Sequence, residues 1–265
     1  IRAVCLIPGS TEFGYDTDLV LRETNPGQTI PENRHTNDAP TDWAASMDAL
    51  QAACPILESV ALVVSWFGSD LRCGQCLVEP GVEIANKTTL GNTWQVAGQS
   101  RATAKQISSV SGRPAYGGTP DDAAVIHAIQ DLKARGLRVV FYPFILMDIT
   151  AQNTLQNPYD GQVGQPSYPW RGELTCDPAP GQAGSPDKTV AVQTQVDAFI
   201  GQAVPADFSI AQNQIVYSGS TEWTLRRQIL HYAHLCTLAG GVDAFLIGSE
   251  LRGLTWLRSG VGTYP

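Results

Sequence analysis

The sequence predicts an α/β fold, and within that class the amino-terminal half of a (β/α)8 TIM-like barrel with long insertions in the loops that follow its strands. Three observations carry this expectation. Near-continuous apolar runs of strand length alternate with amphipathic helical patterns, which is the pattern of a parallel sheet covered by helices. No Gly-x-Gly-x-x-Gly turn follows the first apolar run, and no Gly-Lys-Ser/Thr phosphate loop occurs anywhere. The usual signature of the nucleotide-binding open sheets is therefore missing, and a barrel is favoured. Only four units of strand plus helix are legible in the 265 residues, whereas a closed barrel needs eight. The chain thus reads as a single incomplete domain, 1–265, with the remaining barrel strands expected beyond its end.

Each element has its own justification. Ile1 to Ile7 is a mostly apolar run closed by Pro8-Gly9 and reads as a buried strand. Thr41 caps a helix that places Trp43, Met47, Leu50 and Cys54 on one face, and Pro55 ends it. Val60 to Phe67 is the second buried strand. The next helix opens at Thr119-Pro-Asp-Asp122, with proline at its first position, runs through Val125, Ile126, Ile129 and Leu132, and closes at Gly136. Leu137 to Met147 is the third strand, and a shorter helix near Lys188 to Ile200 takes Ser185-Pro186 as its cap. Trp223 to Leu238 is a helix with Leu225, Ile229, Tyr232 and Cys236 on one face, and Gly240-Gly241 leads into the fourth strand, Val242 to Glu250.

Two connections are far longer than the roughly 2–6 residues typical of such loops. Residues 68–118 contain Cys73-Gly-Gln-Cys76, with room for a small hairpin between Val82 and Ile107. Residues 148–187 are rich in Pro, Gln, Asn and Gly and carry Tyr159, Tyr168 and Trp170. Both leave the carboxyl ends of strands, the face on which a barrel builds its substrate cleft.

Composition excludes several function classes. With 43% hydrophobic residues the chain can bury a sizeable core. Seventeen basic against twenty-five acidic side chains leave a net charge of -8 without a Lys/Arg run. Counterion release, the drive for nucleic-acid binding, has no visible source, so no direct nucleic-acid contact is expected. No apolar stretch reaches the roughly 18 residues of a membrane span, and the amino terminus lacks the parts of a signal peptide. The cysteines at 5, 54, 73, 76, 176 and 236 are too dilute for a disulfide scaffold. Cys5, Cys54 and Cys236 sit in apolar patterns and read as small core residues.

Glu250 terminates an apolar run and is the leading functional candidate, because a carboxylate at the carboxyl end of a buried strand sits where barrel enzymes keep an acid. Asp148 ends the third strand in the same way, after Tyr142 and Phe144. It is read either as orienting a sugar hydroxyl or the acid, or as capping a loop. Glycoside hydrolysis usually takes two carboxylates flanking the bond, and Glu250 is the one strong candidate. Trp66, Trp94, Tyr168 and Trp170 lie at or beyond strand ends, where aromatic rings stack on sugars or pin loops. Ile247-Gly-Ser-Glu250 superficially resembles a nucleophile elbow, yet no second small residue follows the serine and no downstream histidine exists. Cys73 and Cys76 have redox spacing but follow a loop, so a local disulfide or structural thiols fit better than thioredoxin chemistry. No metal is expected, since zinc would need two further ligands. His231 and His234 read as a helix face beside Arg226 and Arg227, and no cofactor is expected.

Four separated strings, Leu71-Arg-Cys-Gly-Gln-Cys76, Tyr168-Pro-Trp-Arg171, Gly184-Ser-Pro-Asp-Lys188 and Phe245-Leu-Ile-Gly-Ser-Glu-Leu-Arg-Gly253, together resemble one family. It is the glycoside-hydrolase-like TIM-barrel domain of the large tail-tip proteins, sometimes called megatrons, of gene transfer agents and related siphophages. The resemblance implies a baseplate protein at the tail tip of a virion-like particle. It would meet other tail proteins, assemble as a homo-oligomer, and bind or cleave host-envelope glycan during attachment and DNA delivery. By the same resemblance Glu250 is the strand-four acid/base of a retaining glycosidase, with the nucleophile on strand seven outside this chain. Asp148 lines the cleft, and Trp66, Tyr142, Ser249 and Trp170 are the candidate sugar-binding residues. Ser249 stands where that clan usually has an asparagine. A catalytically inactive structural or receptor-binding module is the alternative reading, and a free-standing retaining glycosidase a weaker one.

Overall fold

The computed structural model describes residues 1–7, 12–260 and 264. It is a mixed α/β fold built on a five-stranded sheet, whose four parallel strands are β1 (Ala3–Leu6), β2 (Ser59–Gly68), β3 (Arg138–Met147) and β4 (Ala244–Phe245), with Val78–Glu79 added antiparallel to the end of β2. The strands lie in sequential order, with Ala3 opposite Ser59, Arg138 opposite Ser59 through Met147 opposite Gly68, and Val140 opposite Ala244. The order has no reversal of the kind that marks an open doubly wound sheet. Among the described residues the sheet does not close on itself.

Helices α1 (Asp42–Ala53), α2 (Asp122–Ala134), α3 (Ala191–Ile200) and α4 (Leu225–Leu238) occupy the connections, and α5 (Arg252–Thr255) is a single turn after β4. One face of the sheet is sealed: Val60, Leu62, Val64 and Trp66 of β2 and Val139, Phe141, Ile145 and Met147 of β3 are buried. On the other face Tyr142, Phe144 and Leu146 remain only half-buried, and Phe144 and Leu146 line a cavity of about 240 Å³ together with Val63, Ser65 and Tyr116. No helix among the described residues is long and apolar enough to cross a membrane.

Local signals place most helix ends. Thr41 Oγ1 accepts from Ala44 N at 3.3 Å and caps α1 as its sequence indicates. The cap of α2 is Asp121 rather than Thr119: its Oδ2 accepts from the backbone of Ala123 and Ala124. Thr119 instead bridges to the sheet, donating to Ser65 O at 2.9 Å. α3 starts at Ala191 with Val190 before it, so Ser185-Pro186 do not cap it. The fully buried stripe of α4 includes Gln228 and His231 with Tyr232, Leu235 and Cys236. His231 thus belongs to the buried face of the helix, and its Nε2 lies 3.0 Å from Asp122 Oδ1.

Strand expectations need three corrections. β1 is a half-exposed edge with Cys5 exposed, because only β2 flanks it; Pro8 and Gly9 lie outside the described residues. β4 is two residues long instead of the nine from Val242 to Glu250. The carbonyls of Val139 and Phe141 accept from Asp243 N and Leu246 N at 2.9 and 3.0 Å, so odd-numbered residues of β3 address β4. The next residue on that side is Pro143, which has no N–H to give, and the ladder stops there. A third departure is the pair of hairpins Leu21–Asn25 with Gln28–Pro31 and Phe208–Ala211 with Gln214–Tyr217, which polar patterning hid.

Residues between β2 and α2 hold a small hairpin, Gln95–Val96 with Gln99–Ser100, inside the stretch where one was expected. A buried ion cluster anchors this segment: Lys87 Nζ lies 3.1 Å from Glu12, 2.5 Å from Glu32 and 3.4 Å from Glu83, while Arg101 pairs with Glu12. Such a cluster is stable only because every charge meets an opposite one. All six cysteines are free thiols, and those at 73 and 76 are buried without a bond between them.

Candidate functional site

Where β4 ends, the chain turns at Gly248-Ser249-Glu250, and Glu250 takes a left-handed backbone with φ of 54°. A β-carbon in that region costs on the order of 1 kcal/mol or more and persists where the surroundings over-determine it. The surroundings here are the turn Arg171–Glu173, against which α5 packs. The approach is so close that a β-carbon on Gly253 would collide with the carbonyl oxygen of Leu174. Glycine at 253 is thus what allows the Glu250 turn to reach the Arg171 turn.

Arg171 organises the cluster. It is only 5% exposed, and its guanidinium carbon stacks 3.5 Å from the centre of the Phe144 ring. Nε donates to Ser249 O at 3.0 Å and Nη2 to Ser249 Oγ at 3.2 Å, and Nη2 pairs with Glu250 Oε2 at 3.0 Å. Ser249 Oγ also lies 2.7 Å from Tyr142 Oη. Burial lowers the pKa of Arg171 from its ordinary value, against an upward pull from Glu250 and Tyr142. The indole of Trp170 donates to the same Glu250 Oε2 at 2.7 Å, and its ring lies over Gly172, where a β-carbon would strike it.

Four of the sequence candidates, Tyr142, Trp170, Ser249 and Glu250, therefore converge. The Glu250 side chain is 50% exposed. Both donors fall on Oε2, and among the described residues Oε1 has no partner. Trp170, itself 45% exposed, holds its ring in place through the indole bond. A fixed aromatic surface beside an oriented carboxylate is the combination that stacks on a sugar and accepts from its hydroxyls.

Two candidates lie elsewhere. Trp66 is wholly buried: its Nε1 donates to Tyr232 Oη at 2.8 Å, and the rings of Trp223, His231 and Tyr232 surround it at 5.7–5.9 Å. It is a core residue between β2 and α4 and lines no cleft. Asp148 has a side chain only 2% exposed. Its oxygens take Ser108 Oγ and Ser108 N, and Lys105 Nζ lies 3.6 Å away, so Asp148 holds the segment after β2 in place. Burial raises the neighbouring Glu79, Lys105 opposes that, and Asp148 adds to it. Trp94 is likewise buried, donating to Thr119 O at 2.8 Å.

Arg171, Phe144 and Gly253 are the site residues that residue-by-residue reading passed over. Arg171 appeared only as the last letter of Tyr168-Pro-Trp-Arg171, and nothing periodic marks a buried arginine in a Pro-rich loop. Among the described residues, Asp16, Asp18 and His127 form the one group that brings three metal-ligating atoms within 4.8 Å. Hydrogen bonds account for it: His127 Nδ1 lies 2.8 Å from Asp16 Oδ1, and Asn92 and the Asp18 backbone complete the carboxylate.

Residues 223–265 match the model of the GTA TIM-barrel-like domain. The matched stretch supports a TIM-barrel-like domain of the gene transfer agent kind. It runs through α4, β4, the Ser249–Glu250 turn and α5, and it contains one of the four strings, Phe245 to Gly253, that prompted the resemblance. No curated protein matches the chain significantly.

Proposed function

We propose that this chain belongs to a tail-tip protein of a gene-transfer-agent-like particle, and that the cluster of Trp170, Arg171, Ser249 and Glu250 binds host-envelope glycan. One observation carries the reading. Trp170 and Arg171 converge on a single oxygen of a half-exposed Glu250, which leaves a ring and an acceptor for a sugar. The match over residues 223–265 supplies the particle context. The reading is one of binding, because cleavage also takes a second carboxylate about 5–5.5 Å or, for inversion, about 6.5–9.5 Å from the first, and the resemblance places that carboxylate on a strand outside this chain. Asp148, expected to line the cleft, instead spends its oxygens on Ser108. Attachment through other baseplate proteins and assembly as a homo-oligomer belong to the same proposal.

The test is titration of the protein with soluble peptidoglycan fragments and with envelope oligosaccharides, by calorimetry, alongside Trp170→Ala and Glu250→Gln. Each substitution is expected to weaken binding about tenfold or more, the equivalent of about 1.4 kcal/mol. Unaltered affinity in both variants would remove the site. Glycan turnover by the wild type that Glu250→Gln abolishes would move the assignment to the glycosidase reading.

A further inference from the structure

The chain leaving β2 and the chain approaching residue 176 run side by side. Arg72 and Thr175 form a parallel bridge, with Cys73 N donating to Thr175 O at 2.8 Å and Thr175 N donating to Leu71 O at 2.9 Å. The bridge is isolated: Cys73, which opens the 3-10 turn Cys73–Gln75, and Cys176 each follow it by one residue. Adjacent strands lie about 4.7–4.9 Å apart, within the roughly 4.4–6.8 Å that a disulfide spans between α-carbons. Both side chains are fully buried in the same core cluster, and both are free thiols.

Cys76, the partner that sequence spacing offers, faces elsewhere. Its Sγ donates to Leu77 O at 3.5 Å; the Cys176 Sγ donates to Pro178 O at 3.3 Å and turns toward Cys73 on opening of that bond. The three sulfurs do not all lie within 4.8 Å of one another, so they form no ready metal cage.

We propose that Cys73 and Cys176 are an oxidisable pair that closes to a disulfide, clipping the segment after β2 to the segment that carries Arg171. The oxidant is a small-molecule disulfide such as oxidised glutathione. One cysteine thiolate attacks a glutathione sulfur, breaking its S–S bond and releasing one glutathione thiolate, which takes up a proton. The second cysteine, deprotonated to solvent, then attacks the mixed disulfide and displaces the other glutathione. Two electrons pass from the cysteine pair to the oxidant, and one S–S bond replaces another. Burial pushes the Cys73 thiol up to about 12, so exchange requires local opening of the chain.

The test incubates the folded full chain with oxidised glutathione at rising urea below its unfolding midpoint, alkylates free thiols, and maps the digest by mass spectrometry. The expected product is one cross-linked peptide pair holding Cys73 and Cys176, with Cys76 alkylated. Cys76→Ser should retain it, and Cys73→Ser and Cys176→Ser should each lose it. A Cys73 to Cys76 link, or alkylation of all six cysteines under these conditions, overturns the proposal. The wild-type map depends on no variant folding, and its outcome is independent of whether Glu250 binds glycan.

Discussion

Replacing Glu250 by glycine and, separately, by alanine turns the backbone geometry at the candidate site into a question of sign. Both variants lose the carboxylate, so the lost contacts with Trp170 and Arg171 cancel in the comparison, and only the β-carbon differs. At φ of 54° that carbon costs about 1–2 kcal/mol. Glycine gives back about 0.5–1 kcal/mol of that through its freer unfolded chain. The glycine variant should therefore be the more stable by about 0.5–1 kcal/mol. Had Val242 to Glu250 been a continuous strand, as its apolar run suggests, glycine would be the worse residue by about the same 0.5–1 kcal/mol. Urea unfolding followed by tryptophan fluorescence reads the difference. With a slope of about 3 kcal/mol/M, the glycine midpoint should lie about 0.2–0.3 M above the alanine midpoint. An alanine variant as stable as the glycine variant, or more so, would refute the left-handed turn and the site built on it.

Other outcomes follow from the same contacts. Trp66→Phe leaves the buried Tyr232 hydroxyl without its indole donor and should cost about 2–4 kcal/mol; Tyr232→Phe should cost about 1–3 kcal/mol. The double variant should fall short of their sum by about 0.5–3 kcal/mol in urea unfolding, and strictly additive costs would dissolve the bond between them. Gly253→Ala drives a β-carbon into Leu174 O and should cost about 1–3 kcal/mol while weakening glycan binding with it; a fully stable, fully binding variant would show that α5 does not hold the Glu250 turn. His127 is raised from 6.5, first by its bond to Asp16, so its stabilisation is complete below pH 6.5 and is lost as pH rises through the folded value. Asp16 is raised by burial, but its bonds to His127, Asn92 and Asp18 outweigh this and lower it from 3.8, so its stabilisation is complete above pH 3.8 and lost as pH falls through the depressed value. The urea midpoint should accordingly fall between pH 6 and pH 8, and His127→Gln should flatten that fall; parallel slopes would remove the pair from the pH response.

The contrast between Pro143 and Arg171 shows where reading the chain stops. Pro143 stands inside the apolar run of the third strand and drew no separate reading, because which neighbour it would deprive of a donor depends on strand parity, which only the pairing with β4 set. Arg171 and Glu250 are 79 residues apart, and no local pattern connects them. What placed them together is the docking of α5 on the Arg171–Glu173 turn through Gly253. The sugar-binding candidates divided for the same reason: Tyr142 and Trp66 are both aromatics of apolar strands, yet one points to the half-open face of the sheet and the other into the helix layer.

By itself the sequence determined the alternation of strands and helices, the cap at Thr41, and the extents of β2 and β3 to within a residue at each end. These are local facts, written in the spacing of apolar side chains and in capping residues, since burial of one face imposes its period on the chain. Only the tertiary structure decided that β4 would be two residues long, that Asp148 would serve the loop after β2, and that a buried arginine would hold Glu250. Those outcomes depend on which side of each strand faces a neighbour and on contacts between distant segments, and a one-residue change of register reverses them without altering the local pattern.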